Sequence, residues 1–318
     1  KGFDTIHSIS EAPDGSIYVA GTFCQNYNLL CSISIGDNTH QSHGGSDVMI
    51  IKLSAQGDVL WSKSFGSGAA DNNMWNSWYS LNQKGIVATS DGGLLMSGYG
   101  CEGWDANCMM TIAPGYSVAN HNPFIVKYDE NGTVESLSVM NGAAADYVQV
   151  MVEVDAHSVL LAGNHYSSTF SAGSFSVYNS GGSDAWYAVF NHTSWEYEGL
   201  WDSKTDGNEV FHSAAVTPEG HFLLGGTQCW GNEGTDCPVT FDSADGMQMT
   251  RERNSEEAEG FLMLHNTEWG SVDWMRGIAY NGAGVSPLGD LAISPAGNIA
   301  ANFPVCVTGN NTGCSAAV

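Results

Sequence analysis

The 318-residue chain is 42% hydrophobic and carries 39 glycines, the composition of a folded, turn-rich protein rather than a disordered one. Nine basic against 34 acidic residues leave a net charge of −25, which excludes nucleic acid and anionic membrane surfaces as natural partners and suits colloidal solubility in a salty medium. No apolar run approaches the roughly 18 residues of a membrane-spanning helix.

The first repeated element runs from Ser8 to Gly21: a short apolar strand, the turn Pro13-Asp14-Gly15, and a second apolar strand. Proline presets the first turn position and glycine supplies the positive φ that resumes the hairpin. A second hairpin follows, Asp47–Leu53 and Asp58–Phe65 around Ser54-Ala55-Gln56-Gly57, and a Gly-rich link from Gly66 leads onward. The same order returns at Gly85–Gly98 with Pro123–Tyr128, at Val150–Gly163 with Ala185–Phe190, and at Ser213–Gly226 with Gly260–His265. A fifth copy, Asp290–Asn302, has only its first hairpin.

Equivalent turn positions Asp14, Asp91, Ala156, Glu219 and Ala296 stand 77, 65, 63 and 77 residues apart. Four antiparallel strands per unit at such spacing predict an all-β fold, a β-propeller of four-stranded antiparallel blades. The array covers 1–318 as one domain, with blades near 5–68, 85–145, 150–206, 212–284 and a partial blade at 290–318. A β-sandwich is the runner-up, but it gives no reason for fixed internal offsets. The first two strands of each unit are predicted to be buried, and Lys52, Lys63 and Lys127 to mark a more exposed outer edge. The half blade would be completed by residues beyond either end of the sequence, by a strand from a neighbouring molecule, or by early ring closure.

Cysteines follow the turn at a fixed distance in four units, giving Cys24/Cys31, Cys101/Cys108, Cys229/Cys237 and Cys306/Cys314, which uses all eight. Four short-range pairs predict disulfides and an oxidising compartment. The rival is a thiolate metal site, although structural zinc favours cysteines two to four apart. Each closed loop of eight or nine residues would contribute roughly 2.5 kcal/mol, enough to pin a loop. Sequons at Asn131, Asn191 and Asn310 agree with a secreted glycoprotein at the cell surface or on an appendage. The chain begins at Lys1 in a segment read as a loop feeding a strand, and so as a mature form or an internal segment.

The succession Asp-Gly, strand ending in Ala-Gly, loop, Gly-Gly-Ser-Asp, strand ending in Lys-Leu, Trp-bearing strand and Gly-rich link resembles the SBBP type of β-propeller repeat. Gly44-Gly45-Ser46-Asp47 and Gly181-Gly182-Ser183-Asp184 are its closest local matches. That resemblance implies a secreted or surface protein without an assigned reaction. The clipped loops depart from it, as does blade three, where Tyr166 stands in place of the first cysteine.

No catalytic motif emerges, and no cofactor is expected beyond calcium as a bridging ion. The densest acidic run, Glu256-Glu257-Ala258-Glu259, reads as a solvated loop, and His40 with His43 as a weak metal pair. Trp75, Trp78, Trp104 and Trp230 are candidate contact or glycan-stacking residues, Trp104 and Trp230 inside clipped loops and Trp75 and Trp78 in a long connection. Trp61, Trp201 and Trp274, on outer strands, are expected to pack between blades. Together these features predict a non-enzymatic structural module of a surface layer, adhesin or filament, partnered by itself or by other extracellular proteins and glycans. The alternative is a lectin-like or carbohydrate-active propeller.

Overall fold

The computed structural model describes residues 4–24, 30–68, 70–72, 85–102, 108–228, 238–242, 248–251, 259–268, 270–280, 291–301 and 316–317. Every regular element among them is a β-strand, and the fold is a β-propeller whose four blades are each built on a four-stranded antiparallel meander, the blade-three sheet being extended to six strands by Val239–Asp242 and Gln248–Arg251. Blade one comprises Thr5–Glu11, Ile17–Phe23, Asp47–Leu53 and Val59–Phe65, in that order across the sheet. Blade three comprises Asp146–Glu153, Ser158–His165, Asp184–Asn191 and Glu196–Lys204. Blade four comprises Val210–Val216, Phe222–Gln228, Glu259–Asn266 and Ser271–Tyr280.

Blade two is built differently at one edge. Leu94–Glu102, Pro123–Tyr128 and Val134–Val139 form its last three strands, while two short pieces, Ala70–Asn72 and Ile86–Ala88, share the place of the first. Both pieces pair with Leu94–Glu102, Ala70–Asn72 toward its end and Ile86–Ala88 toward its start. The fifth repeat forms the expected hairpin, Leu291–Ile293 with Ile299–Ala301. The chain does not stop there, as Ala316 and Ala317 pair with Tyr280 and Ala279 on the outer edge of blade four.

The turns form for the reason the sequence gives. Gly15, Gly92, Gly220 and Gly297 take φ of 80°, 82°, 88° and 78°, the left-handed region that costs glycine nothing. Blade three lacks that glycine, and Asp155 replaces it by accepting the His157 and Ser158 amides at 2.7 and 2.9 Å, an Asx-type turn.

The chain divides into two compact units, Lys1–Trp75 with Gln83–Met151, and Asn76–Asn82 with Val152–Val318. In the first, alternate residues Tyr18, Ala20, Val48 and Ile50 meet Leu94, Met96, Phe124 and Val126 in one core. Each of the Val, Leu, Ile, Met and Phe side chains among them contributes roughly 1.5–3 kcal/mol by leaving water. Trp61 packs against Tyr18 at 5.8 Å and donates its indole N–H to the Glu130 carbonyl at 3.0 Å. In the second unit Trp201 stacks on Tyr187 at 5.0 Å and lies 5.2 Å from His265, while Trp274 joins the cluster of Leu223, Leu262 and Leu291. All three outer-strand indoles thus pack as expected.

Two expectations fail. Third strands are buried rather than edge-like: Lys52 is 5% exposed, with its ammonium 5.0 Å over the Tyr18 ring and 3.2 Å from the Glu130 carbonyl oxygen. Its stem lies along apolar surface while its head finds an acceptor. Conversely, the first strand of blade one is largely exposed, including Ile6 and Ile9. A first strand pairs on one side only, so burial depends on what lies against its faces.

A further element repeats between the second and third strands of every blade: a small hairpin, Ser32–Ile35 with Asn38–Gln41, Met109–Ala113 with Tyr116–Ala119, Thr169–Ala172 with Phe175–Tyr178, and Val239–Asp242 with Gln248–Arg251. Period-two alternation explains them, since Met110, Ile112, Phe170, Ala172, Val239 and Phe241 are buried from one face of their strands.

Candidate functional site

The Gly-Gly-Ser-Asp motif sits where this excursion returns to the third strand. In blade three a Cβ on Gly181 or Gly182 would strike the link at Asp206 and Asn208, and in blade one a Cβ on Gly44 would strike the Gly68 backbone. The glycines allow loop and outgoing link to touch. The motif's aspartate closes the loop: Asp47 accepts the His43 backbone N–H at 2.9 Å and Asp184 accepts the Ser180 N–H at 2.7 Å. Both carboxylates are 0% exposed.

Blade three adds a histidine and a second aspartate beside this staple. His165 ends the second strand and pairs directly with Asp184, and Asp202 on the fourth strand pairs with Trp186, two residues further along. Directly opposed residues share a face, as do residues two apart, so all three side chains project to the same side. One potential ligand atom from each lies within 4.8 Å of the others. His165 and Asp184 are fully buried and Asp202 is 4% exposed. The His165 ring stacks on Phe170 of the excursion hairpin at 5.3 Å, and Phe170 meets Trp186 at 5.0 Å, which roofs the cluster with aromatic rings.

The hydrogen bonds leave one inward acceptor on each member. His165 Nδ1 lies 3.1 Å from the Ser167 carbonyl oxygen, an acceptor only, so Nδ1 donates there and Nε2 is the ring atom turned toward the two carboxylates. Asp202 Oδ1 accepts from the Lys204 ammonium at 2.6 Å, while Oδ2 stands 3.7 Å from His165 Nε2. His165 Nε2, Asp184 Oδ1 and Asp202 Oδ2 are buried without a hydrogen-bond partner. Burial pushes the Asp184 carboxyl up to about 6 against the Ser180 N–H that favours its charged form.

The other blades lack this set. Strand register places Phe23, Asp47 and Ser64 at these positions in blade one, Tyr99, Pro123 and Ser138 in blade two, and Gln228, Glu259 and Gly277 in blade four. Sequence reading missed the cluster because its members lie far apart in the chain. An alignment of the four copies by strand register, position by position, would have exposed it.

Of the residues singled out from the sequence, Cys24 and Cys31 form the expected disulfide, and Cys108 is disulfide-bonded as well. The side chain of Cys101 and residues Cys229, Cys237, Cys306 and Cys314 lie outside the described residues, as do Trp75, Trp78, Trp104, Trp230 and the sequon Asn310. Asn131 is exposed in its turn, whereas Asn191 is half-buried with its amide nitrogen donating to Glu198 at 2.9 Å. His40 and His43 do not converge. His40 lies between the Ser62 and Ser64 hydroxyls at 2.7 and 3.1 Å, and His43 pairs with Asp47. Glu259 is not in a solvated loop: it opens a third strand and is 1% exposed.

No protein-family model matches this chain, and no curated protein matches it. Among solved structures it is similar to a protein of unknown function from Bacteroides caccae, at 10% identity and a TM-score of 0.30, over 87% of this chain and 88% of that one. Among the described residues no helix is long and apolar enough to cross a membrane.

Proposed function

We propose that this protein is a non-enzymatic extracellular module, part of a surface layer, adhesin or appendage filament, that meets its partners through the excursions between the second and third strands of its blades. The observation that carries this reading is where apolar surface is left in water. Nine large hydrophobic side chains are exposed among the described residues, and five of them (Leu30, Met109, Tyr166, Phe175 and Tyr178) belong to those excursions. Exposed aromatic and Met side chains on a rigid support are the usual anchors of protein interfaces. The Cys24–Cys31 clip, the inward rows of the hairpins and the Gly-Gly-Ser-Asp staple all hold such loops in place. The SBBP-type repeat reading, secretion and glycosylation at Asn131 accord with this role, as does a net charge that keeps the free module soluble.

A second reading keeps the same surface and changes the partner. Tyr166, Phe175 and Tyr178 are rings 40%, 36% and 63% exposed within one blade, a composition suited to stacking on sugar faces. Sedimentation velocity across a concentration series tests the first reading. The wild-type chain should associate, and the double variant Phe175→Ser, Tyr178→Ser should weaken association at least about tenfold, which is about 1.4 kcal/mol. A chain that stays monomeric at every concentration contradicts self-assembly. Glycan-array binding that the double variant loses would then assign the surface to carbohydrate.

A further inference from the structure

We infer that the His165–Asp184–Asp202 cluster of blade three is a binding site for a single divalent transition-metal ion, of the zinc or manganese class. Three acceptors converge on one point inside a sheet face that excludes water, and no donor among the described residues answers them. Two buried carboxyl groups share one ammonium, that of Lys204, which reaches only Asp202. Buried carboxylates are retained only when paired or when they coordinate a metal. Lys204 occupies Asp202 Oδ1, yet Oδ2 still points inward.

The imidazole supplies the second, independent sign. Metal-ligating histidines hold their far nitrogen against a carbonyl or carboxylate, which fixes the tautomer and the ring plane. His165 does so through the Ser167 carbonyl, and its stacking on Phe170 fixes the ring further. The ligand atoms, all within 4.8 Å of one another, fit the span of a coordination sphere with bonds of about 2.0–2.4 Å. One nitrogen and two oxygens favour zinc or manganese over calcium, which takes six to eight oxygens.

The internal repeats provide the contrast. Blade one keeps the same aspartate staple in Asp47, with Phe23 and Ser64 where blade three has His165 and Asp202. The loop staple therefore needs the aspartate alone. The added histidine and aspartate are not required for that staple, and a ligand accounts for their facing Asp184.

The test uses the full chain, stripped with EDTA and dialysed in parallel against zinc, manganese and calcium salts, with metal content read by mass spectrometry. The wild-type chain should retain about one equivalent of zinc or manganese, and its thermal midpoint should rise when zinc is restored after stripping. Asp202→Asn and Asp184→Asn, nearly isosteric, should lose that equivalent, while Asp47→Asn should keep it. Cobalt substitution should give the absorption of a nitrogen- and oxygen-ligated ion. The inference is overturned if the stripped wild type retains no zinc or manganese. It is equally overturned if the Asp184 and Asp202 variants bind as much as the wild type, which would assign the metal to other histidines, or if Asp47→Asn abolishes binding. An imidazolium at His165 in the metal-treated chain, seen by NMR, would show that a proton balances the charge instead.

Discussion

Replacing Phe211 with alanine is expected to destabilise the protein by about 3–5 kcal/mol, the range for deleting a fully buried aromatic ring. Phe211 is 0% exposed and stands at a junction. Its ring centroid lies 5.5 Å from Phe261 in its own blade, 5.7 Å from Phe241 on the blade-four excursion hairpin and 6.0 Å from Tyr187 in blade three. Removing it opens a cavity bordered by these three rings, one of them on the excursion hairpin. Urea denaturation of Phe211→Ala should show a lowered midpoint. Leu60→Ala, at a residue 55% exposed, should stay within about 0.5 kcal/mol of the wild type. Equal losses in the two variants would mean that the junction is not part of the cooperative core.

Acid should unfold the same region through two buried histidines. Burial lowers His212 to about 4, and burial with a smaller contribution from His221 lowers His265 to about 4, from an ordinary 6.5. His265 Nδ1 lies 2.9 Å from the Tyr187 hydroxyl. Burial raises the Tyr187 phenol far above its usual range, so it remains the donor and the imidazole stays neutral. His212 Nε2 lies 3.2 Å from the Thr227 hydroxyl and its Nδ1 has no hydrogen-bond partner. Since the folded-state values lie below the unfolded ones, this stability is fully present above pH about 6.5. It is lost as pH falls toward about 4, by roughly 3 kcal/mol for each histidine. Urea midpoints measured between those limits should fall steadily, and His212→Gln should flatten the slope. A profile that is level over this range would contradict neutral burial of either ring.

His212 also shows where sequence reading stops. The first strands of blades one and four shift register around His7 and His212, and each bulged histidine approaches a threonine of the second strand, Thr22 or Thr227. The glycine before that threonine, Gly21 or Gly226, has no room for a Cβ against the Thr5 or Val210 carbonyl oxygen. The Ala-Gly and Gly-Gly strand endings were visible in the sequence. Their cause was not, because a bulge is a relation between two strands and leaves no period of its own.

Hairpins joined by Pro-x-Gly turns were legible because turn chemistry and alternation agree locally. Pro123–Tyr128 stands as read, and Asp184–Asn191 extends the reading by one residue at each end. The excursion hairpins were legible in principle. Thr169-Phe-Ser-Ala and Phe175-Ser-Val-Tyr alternate about Gly173, whose φ is 59°, but four-residue runs are hidden within a long loop. The burial of Lys52 and Glu259 was not legible, since it depends on the Glu130 carbonyl and the Tyr18 ring in one case and on strand register in the other. The blade-three cluster belongs to the same class. Its three residues acquire meaning only when register places them on one face.

Four of the five repeats, all but the third, carry one cysteine pair in the same loop, and disulfide mapping of the unreduced protein by peptide mass spectrometry tests most directly whether each pair clips its own repeat. Beside the Cys24–Cys31 bridge, the account predicts cystines joining Cys101 to Cys108, Cys229 to Cys237 and Cys306 to Cys314, with no free thiol among the eight cysteines. A cystine joining cysteines of two different repeats, or a population of free thiols in material isolated from outside the cell, would contradict it.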